Sequence, residues 1–236
     1  MPLPASVAAV IFDNDGTLVD SREGIIRAWM TWAFEHEIEI VRLLGHDGLS
    51  SEDIVRKMIP AATADAALAR ALELEVREAV RTRIHPGVAE AMAAIPADRL
   101  AVATSGTRAV ATARLAAAGI ELPSVVVTVD DVARAKPDPD IFLLAAERLG
   151  FPPEDCLVVE DAPHGITAGK AAGCSVLAVT TTVAREHLHR ADGVVDRLDE
   201  VCFTVTASGR VGVEMRTAPG TPATPRTQPG PGAART

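Results

Sequence analysis

Two aspartates one residue apart, Asp13 and Asp15, follow the apolar run Val7 to Phe12, and that junction restricts the chain more than any other feature. The run's bulk and β-branching read as a buried strand, so both carboxylates emerge where the strand stops. Two ionised carboxylates in a confined site repel, which is tolerable when a cation sits between them or one of them holds a proton. A divalent metal is the natural first expectation. Gly16 permits a sharp exit from the strand, and Thr17 brings a hydroxyl back towards the same spot. The bland alternative is a strand followed by an acidic turn. An EF-hand fits less well: its loop needs three alternating acidic or amide positions before the glycine, and here glycine directly follows Asp15.

Beyond the acidic junction the chain changes character. Ser21 to Glu35 reads as a helix with Ile25, Ile26, Trp29, Trp32 and Ala33 on one face. Ser50-Ser51-Glu52-Asp53 resembles a helix start, and Thr63 to Arg83 carries Leu68, Leu72, Val76 and Val80 at helical spacing. His85-Pro86-Gly87 ends this helical block. Strand-like runs then occur at Leu100 to Thr104, Val125 to Val129, Cys156 to Val159, Val176 to Thr180 and Gly193 to Val195. The helical segments Thr107 to Ala118, Asp138 to Leu149, Gly165 to Ala172 and Val183 to Arg190 lie among them. Alternation of this kind predicts an α/β fold, a parallel sheet with helices on both faces and a helical insertion.

The predicted organisation is an α/β core at residues 1–20 and 84–205, a helical cap at 21–83, a C-terminal hairpin at 203–216 and a disordered tail at 217–236. The tail is rich in Pro, Gly, Thr, Ala and Arg with no apolar period. A net charge of -9 argues against a nucleic-acid or anionic-membrane partner. No apolar segment reaches the roughly 20 residues that a membrane span needs, and no cleavage site follows the N-terminal apolar run. Cys156, Cys174 and Cys202 share no metal-like spacing and read as reduced core residues. The expectation is a soluble cytoplasmic protein, a monomer or small homo-oligomer, whose partner is a small phosphorylated metabolite.

Parallel sheets place ligands at the carboxyl ends of their strands. Asp13 and Asp15 end the first strand; Thr104, Ser105 and Gly106 end the second; Lys136 follows the third; Glu160 and Asp161 end the fourth. All fall on one edge. Singly, each has a plain reading: Lys136 a solvated lysine before Pro137, Glu160 and Asp161 a helix-capping pair. The Gly165 to Ala171 stretch faintly suggests a nucleotide P-loop, but its glycines are too close and no Ser or Thr follows Lys170, so close helix packing is preferred. His187 and His189 read as surface residues.

Four motifs resemble the haloacid dehalogenase-like hydrolase superfamily, and specifically its phosphatases with a small helical cap: FDNDGTLVDS at 12–21, VATSGTR at 102–108, KPDPDIF at 136–142 and VVEDAPHGITAGKAAG at 158–173. The second and fourth are similar to the glycerol-phosphatase and 2-deoxyglucose-6-phosphatase branch, which implies sugar or polyol phosphates. The resemblance implies a Rossmann-like three-layer core with an inserted helical cap. Asp13 would then attack phosphorus and form an aspartyl phosphate, and Asp15 would act as general acid and base. Mg²⁺ would be held by the Asp13 carboxylate, the Asp15 carbonyl and the Asp161 carboxylate, with Glu160 assisting. Thr104, Ser105 and Gly106 would hold phosphoryl oxygens and Lys136 would balance their charge. Arg108 lies where it could reach substrate or stand solvated in a first helical turn.

In that branch the cap loop usually carries an arginine that meets substrate; here residues 45–53 have none, and His46 and Asp47 are the candidates to replace it. The rival readings are a phosphosugar mutase using the same motifs, a phosphoglycolate-type phosphatase and a catalytically silent binding protein. Haloacid dehalogenation is disfavoured because it does not need Asp15. Cap movement is expected about hinges near Asp20-Ser21 and His85-Gly87.

Overall fold

The computed structural model describes residues 3–46 and 49–216. Its elements run β1 (Ser6–Val7), β2 (Ala9–Phe12), β3 (Val19–Asp20), α1 (Arg22–Glu35), α2 (Ser51–Met58), α3 (Ala61–Glu78), β4 (Arg83–Ile84), α4 (Val88–Ala94) and β5 (Leu100–Ala103). There follow α5 (Arg108–Ala117), β6 (Val125–Val127), α6 (Asp140–Leu149), β7 (Cys156–Glu160), α7 (Pro163–Ala171), β8 (Ser175–Val179), β9 (Gly193–Val195), β10 (Val201–Val205) and β11 (Val211–Met215).

Six of the strands form a parallel sheet in the order β6-β5-β2-β7-β8-β9. Alternate residues of β2 enter opposite layers, as strand geometry requires: Val10 and Phe12 pack with Val88, Leu115 and Phe203, whereas Ala9 and Ile11 pack with Ile141, Phe142 and Ile166. Burial on both faces explains why the strands read as continuous apolar runs. After β2 the chain passes to β5 and β6 on one side and to β7 on the other, which makes the carboxyl end of β2 the switch point where α/β sheets bind ligands.

The expected first strand is divided at Ala8. β1 pairs antiparallel with β11, β2 enters the parallel sheet, and the Ala8 amide between them donates to the carbonyl of Asp155. The C-terminal hairpin is present as β10 and β11, beginning two residues earlier than expected and extended by β1 to three strands. Instead of a helix over Val183 to Arg190 there is one 3-10 turn, Arg185–Leu188. Only Leu188 is buried in that turn, too little to offset helix nucleation. His187 and His189 are exposed there.

α1, α2 and α3 lie between β3 and β4, which pair antiparallel, so the chain leaves and rejoins the sheet side by side. The helices have their own core around Trp32, whose indole N–H donates to the Ala67 carbonyl at 2.8 Å. Ser50 caps α2 by accepting from the Asp53 amide at 3.1 Å. The buried stripe of α3 is Ala64, Ala67, Ala71 and Leu74, whereas Val76 and Val80 of the expected stripe are exposed. Small alanines let α3 approach the two tryptophans of α1; a row of leucine and valine would hold it off. Ile26, expected to pack inward, is 50% exposed.

Cys156 and Cys174 are buried free thiols, with burial pushing them up to about 11 and about 12; Cys202 is half-buried. Among the described residues no helix is long and apolar enough to cross a membrane. The expected tail and Asp47 lie outside the described residues.

Candidate active site

The carboxyl ends of β2, β5 and β7 meet the helical block across a cavity of about 760 Å³. Asp13, Asp15, Thr104, Ser105, Gly106, Glu160 and Asp161 line its floor, so strand ends far apart in sequence converge as expected. Lys136 is buried behind them and donates to Asp13 Oδ1 at 2.6 Å, Glu160 Oε1 at 2.8 Å and the Ala103 carbonyl at 3.1 Å. The plain reading of Lys136 as a solvated residue is thereby excluded.

Burial raises the Asp13 carboxyl to about 7; the Lys136 charge opposes that rise and neighbouring Glu160 and Asp15 add to it. Burial alone would lower the Lys136 ammonium, but Asp13 and Glu160 outweigh it and hold the group above the ordinary lysine range. Asp161 is raised well above the usual carboxylate range, first by burial and then by Glu160 and Asp13. Three buried carboxyl groups thus face one ammonium. Oxygens of Asp13, Glu160 and Asp161 all lie within 4.8 Å of one another, an all-oxygen set with excess negative charge that fits a hard divalent cation.

Two glycines make this packing possible. A Cβ on Gly165 would overlap the Glu160 carboxylate, and one on Gly16, at φ 90°, would overlap Oδ2 of Asp161. The faint P-loop signal is therefore close packing of α7 against β7. Glu160 is further fixed by the amides of Asp161 and Ala162, which donate to its Oε2 at 2.7 and 2.9 Å.

The Asp15 carboxylate points away from that cluster. Its Oδ1 accepts from Ser21 at 2.6 Å, and Oδ2 accepts from Asn14 at 3.2 Å and pairs with Arg114 at 2.9 Å. Ser21 stands at the N-cap of α1 but makes no side-chain cap bond; its hydroxyl serves Asp15 instead. Thr104 accepts from the Gly106 amide at 3.0 Å, which leaves its own proton to donate.

Residues 7–173 match the family model described as haloacid dehalogenase-like hydrolase. The chain belongs to the haloacid dehalogenase-like hydrolase family. It is similar to hexitol phosphatase A of Escherichia coli, 36% identical over 85% of this chain and 96% of that protein. It is also similar to glycerol-1-phosphate phosphohydrolase 2 of Saccharomyces cerevisiae, 33% identical over 77% and 78% of the two chains. A solved hydrolase from Pseudomonas syringae superposes with a TM-score of 0.74 at 27% identity, covering 81% of this chain and 94% of that one.

Some of the expected site residues of this hydrolase sit elsewhere. Arg108 does not line the cavity: its guanidinium binds Asp131 at 2.6 Å and the Val126 carbonyl at 3.2 Å, because the first turn of α5 opens towards the end of β6. Thr17 is buried, its hydroxyl has no hydrogen-bond partner among the described residues, and it is not part of the cavity wall. His46 does line the cavity.

Two buried charged residues of the cavity, Arg114 and Glu75, were not singled out from sequence. Arg114 on α5 is 5% exposed and Glu75 on α3 is 6% exposed. Each carried a signal: a charged residue inside the apolar stripe of its helix, Arg114 with Val110, Ala111 and Leu115, Glu75 four residues after Ala71.

Proposed function

We propose that the chain hydrolyses phosphomonoesters of small sugars or polyols, with Asp13 as nucleophile and Asp15 as general acid and base. The supporting observation is a lysine-clamped buried carboxylate, a separately held second carboxylate and a hydroxyl-bearing loop on one cavity rim. The names of the hexitol phosphatase and glycerol-1-phosphate phosphohydrolase relatives support the substrate class.

Asp13 attacks phosphorus, the bond from phosphorus to the alcohol oxygen breaks, and Asp15 gives that oxygen a proton. Water then attacks the phosphorus of the aspartyl phosphate and Asp15 takes up its proton. Inorganic phosphate leaves and Asp13 is regenerated. The Thr104 hydroxyl donates to a phosphoryl oxygen, and Lys136 balances charge as it spreads over the phosphoryl group. Asp13, Asp161 and the main-chain carbonyl of Asp15 would hold Mg²⁺. Glu160, whose oxygens already serve Lys136 and two amides, would assist from outside. Mg²⁺ bound there would offset the negative charge of the phosphoryl group and the carboxylates. Helices α1 to α3 act as a cap hinged at the paired strands β3 and β4.

The test is phosphate release across sugar, polyol, glycolate and nucleotide monophosphates, with Mg²⁺ or chelator, beside Asp13→Asn. Metal-dependent release, lost in the variant and highest on sugar or polyol esters, is expected. Accumulation of isomerised sugar phosphate without inorganic phosphate would replace this reading with a mutase.

A further inference from the structure

Arg114 and Glu75 take no part in the reaction proposed above, yet both are buried and both face the cavity. They come from opposite walls, Arg114 from the sheet side and Glu75 from the helical block. Glu75 is held by the indole N–H of Trp29 at 2.9 Å and the hydroxyl of Ser51 at 3.1 Å. Arg114 Nη1 is 2.9 Å from Asp15, while its Nη2 stands 3.9 Å from Glu75 Oε2. That separation is too long for a hydrogen bond. A hydroxyl entering the cavity can therefore accept from Arg114 and donate to Glu75 at once.

The rest of the helical side is mainly apolar, with Ile25, Ile26, Trp29, Met30, Leu49 and Ile54; of its other polar residues, Arg22 donates to the Thr181 and Thr182 carbonyls and Ser51 to Glu75, and His46 stands in the loop before α2. A polyol hydroxyl set against the apolar surface loses its water without compensation. Arg56, on α2, is turned outward to Glu52 and Asp65. Arg114 touches the carboxylate that protonates the leaving oxygen in the reaction proposed above, so the pair stands near that oxygen, and in a polyol phosphate the nearest hydroxyl to it is the one on the adjacent carbon.

We propose that Arg114 and Glu75 form the leaving-group subsite, binding the hydroxyl adjacent to the ester carbon and selecting phosphomonoesters of vicinal diols. This rests on the phosphomonoesterase reading of the same site and narrows it. The Arg114 charge is already balanced by Asp15 and Glu75, so the subsite takes a neutral hydroxyl. A carboxylate in that place, as in phosphoglycolate, would meet Glu75 as a like charge.

The experiment uses the full chain with Mg²⁺ and compares kcat/KM within two pairs. One pair is glycerol 1-phosphate and propane-1,3-diol monophosphate; the other is a hexitol 6-phosphate and its 5-deoxy analogue. Loss of the single hydroxyl is expected to lower kcat/KM by about 10- to 100-fold in the better pair, with phosphoglycolate also poor. In Glu75→Gln that ratio should shrink to a few-fold. Equal turnover within both pairs in the wild type overturns the subsite even where the variant does not fold, as does an undiminished ratio in a folded Glu75→Gln. Release from none of the five esters overturns the phosphomonoesterase reading and the subsite with it, and so is distinct from release without discrimination.

Discussion

The two walls of the cavity are built on opposite plans. The sheet side consists of polar groups at strand ends, with Asp13, Lys136, Glu160 and Asp161 almost wholly buried: Lys136 binds Asp13 and Glu160, and Asp161 is joined to Glu160 through its main-chain amide. The helical side is an apolar surface on α1 and α2 that stays partly open, with Ile26 and Met30 about half exposed and Glu75 a single buried acid on α3. Charges are costly to bury unless paired, so every member of the first wall depends on the others. Apolar groups at a cavity edge interact weakly and separately. The first wall is therefore suited to chemistry that tolerates no variation, and the second to a choice of leaving group.

Substitutions sharpen this contrast. Lys136→Met leaves the buried carboxylates of the sheet side without their ammonium, and urea unfolding should show a loss of about 3–5 kcal/mol, partly recovered on adding Mg²⁺. Gly165→Ala drives a methyl group into the Glu160 carboxylate and should lower stability by about 1–3 kcal/mol in the same measurement.

Asp131, which holds Arg108 away from the cavity, gives a smaller and pH-dependent effect. Burial alone would raise its carboxyl, but hydrogen bonds from Thr128 and Arg148 and the nearby Arg108 charge outweigh this and hold it below the ordinary range. A carboxyl lowered on folding stabilises the protein above its unfolded pKa, and that contribution disappears as pH falls towards the folded value. Asp131→Asn should thus cost about 1 kcal/mol at neutral pH, with the difference from wild type narrowing below about pH 4 in acid titrations of stability. On the helical wall, Ile26→Ala should change stability by no more than about 0.5 kcal/mol. It should shift KM among substrates a few-fold and leave kcat nearly unchanged. A collapse of kcat in that variant would erase the distinction between the walls.

Sequence legibility follows the same division. Strand ends were readable because β2, β5 and β7 are apolar up to the point where polar motifs begin, which in β7 is its last residue, Glu160, and a parallel sheet then brings those ends to one edge. Helix rotation was less readable. On α3 the leucine and valine spacing competed with an alanine stripe, and the alanines won because close approach to Trp29 and Trp32 needs small residues. On α5, Arg108 and Arg114 are six residues apart, and only the tertiary fold turns the second, not the first, into the cavity. Thr17 lies so near the acidic pair that proximity suggested a contact, yet the tight turn after Gly16 buries its hydroxyl out of reach of the cavity.

The claim that most needs testing is that Asp13 itself carries the phosphoryl group. Full-length protein turning over a polyol phosphate with Mg²⁺ can be quenched in acid, digested and weighed by mass spectrometry. The expected result is one phosphoryl group on the peptide containing Asp13, absent from Asp13→Asn, which should also lose phosphate release by a factor on the order of 10⁴ or more. A phosphorylated peptide elsewhere in the chain, or sustained release by a folded Asp13→Asn, would contradict the account.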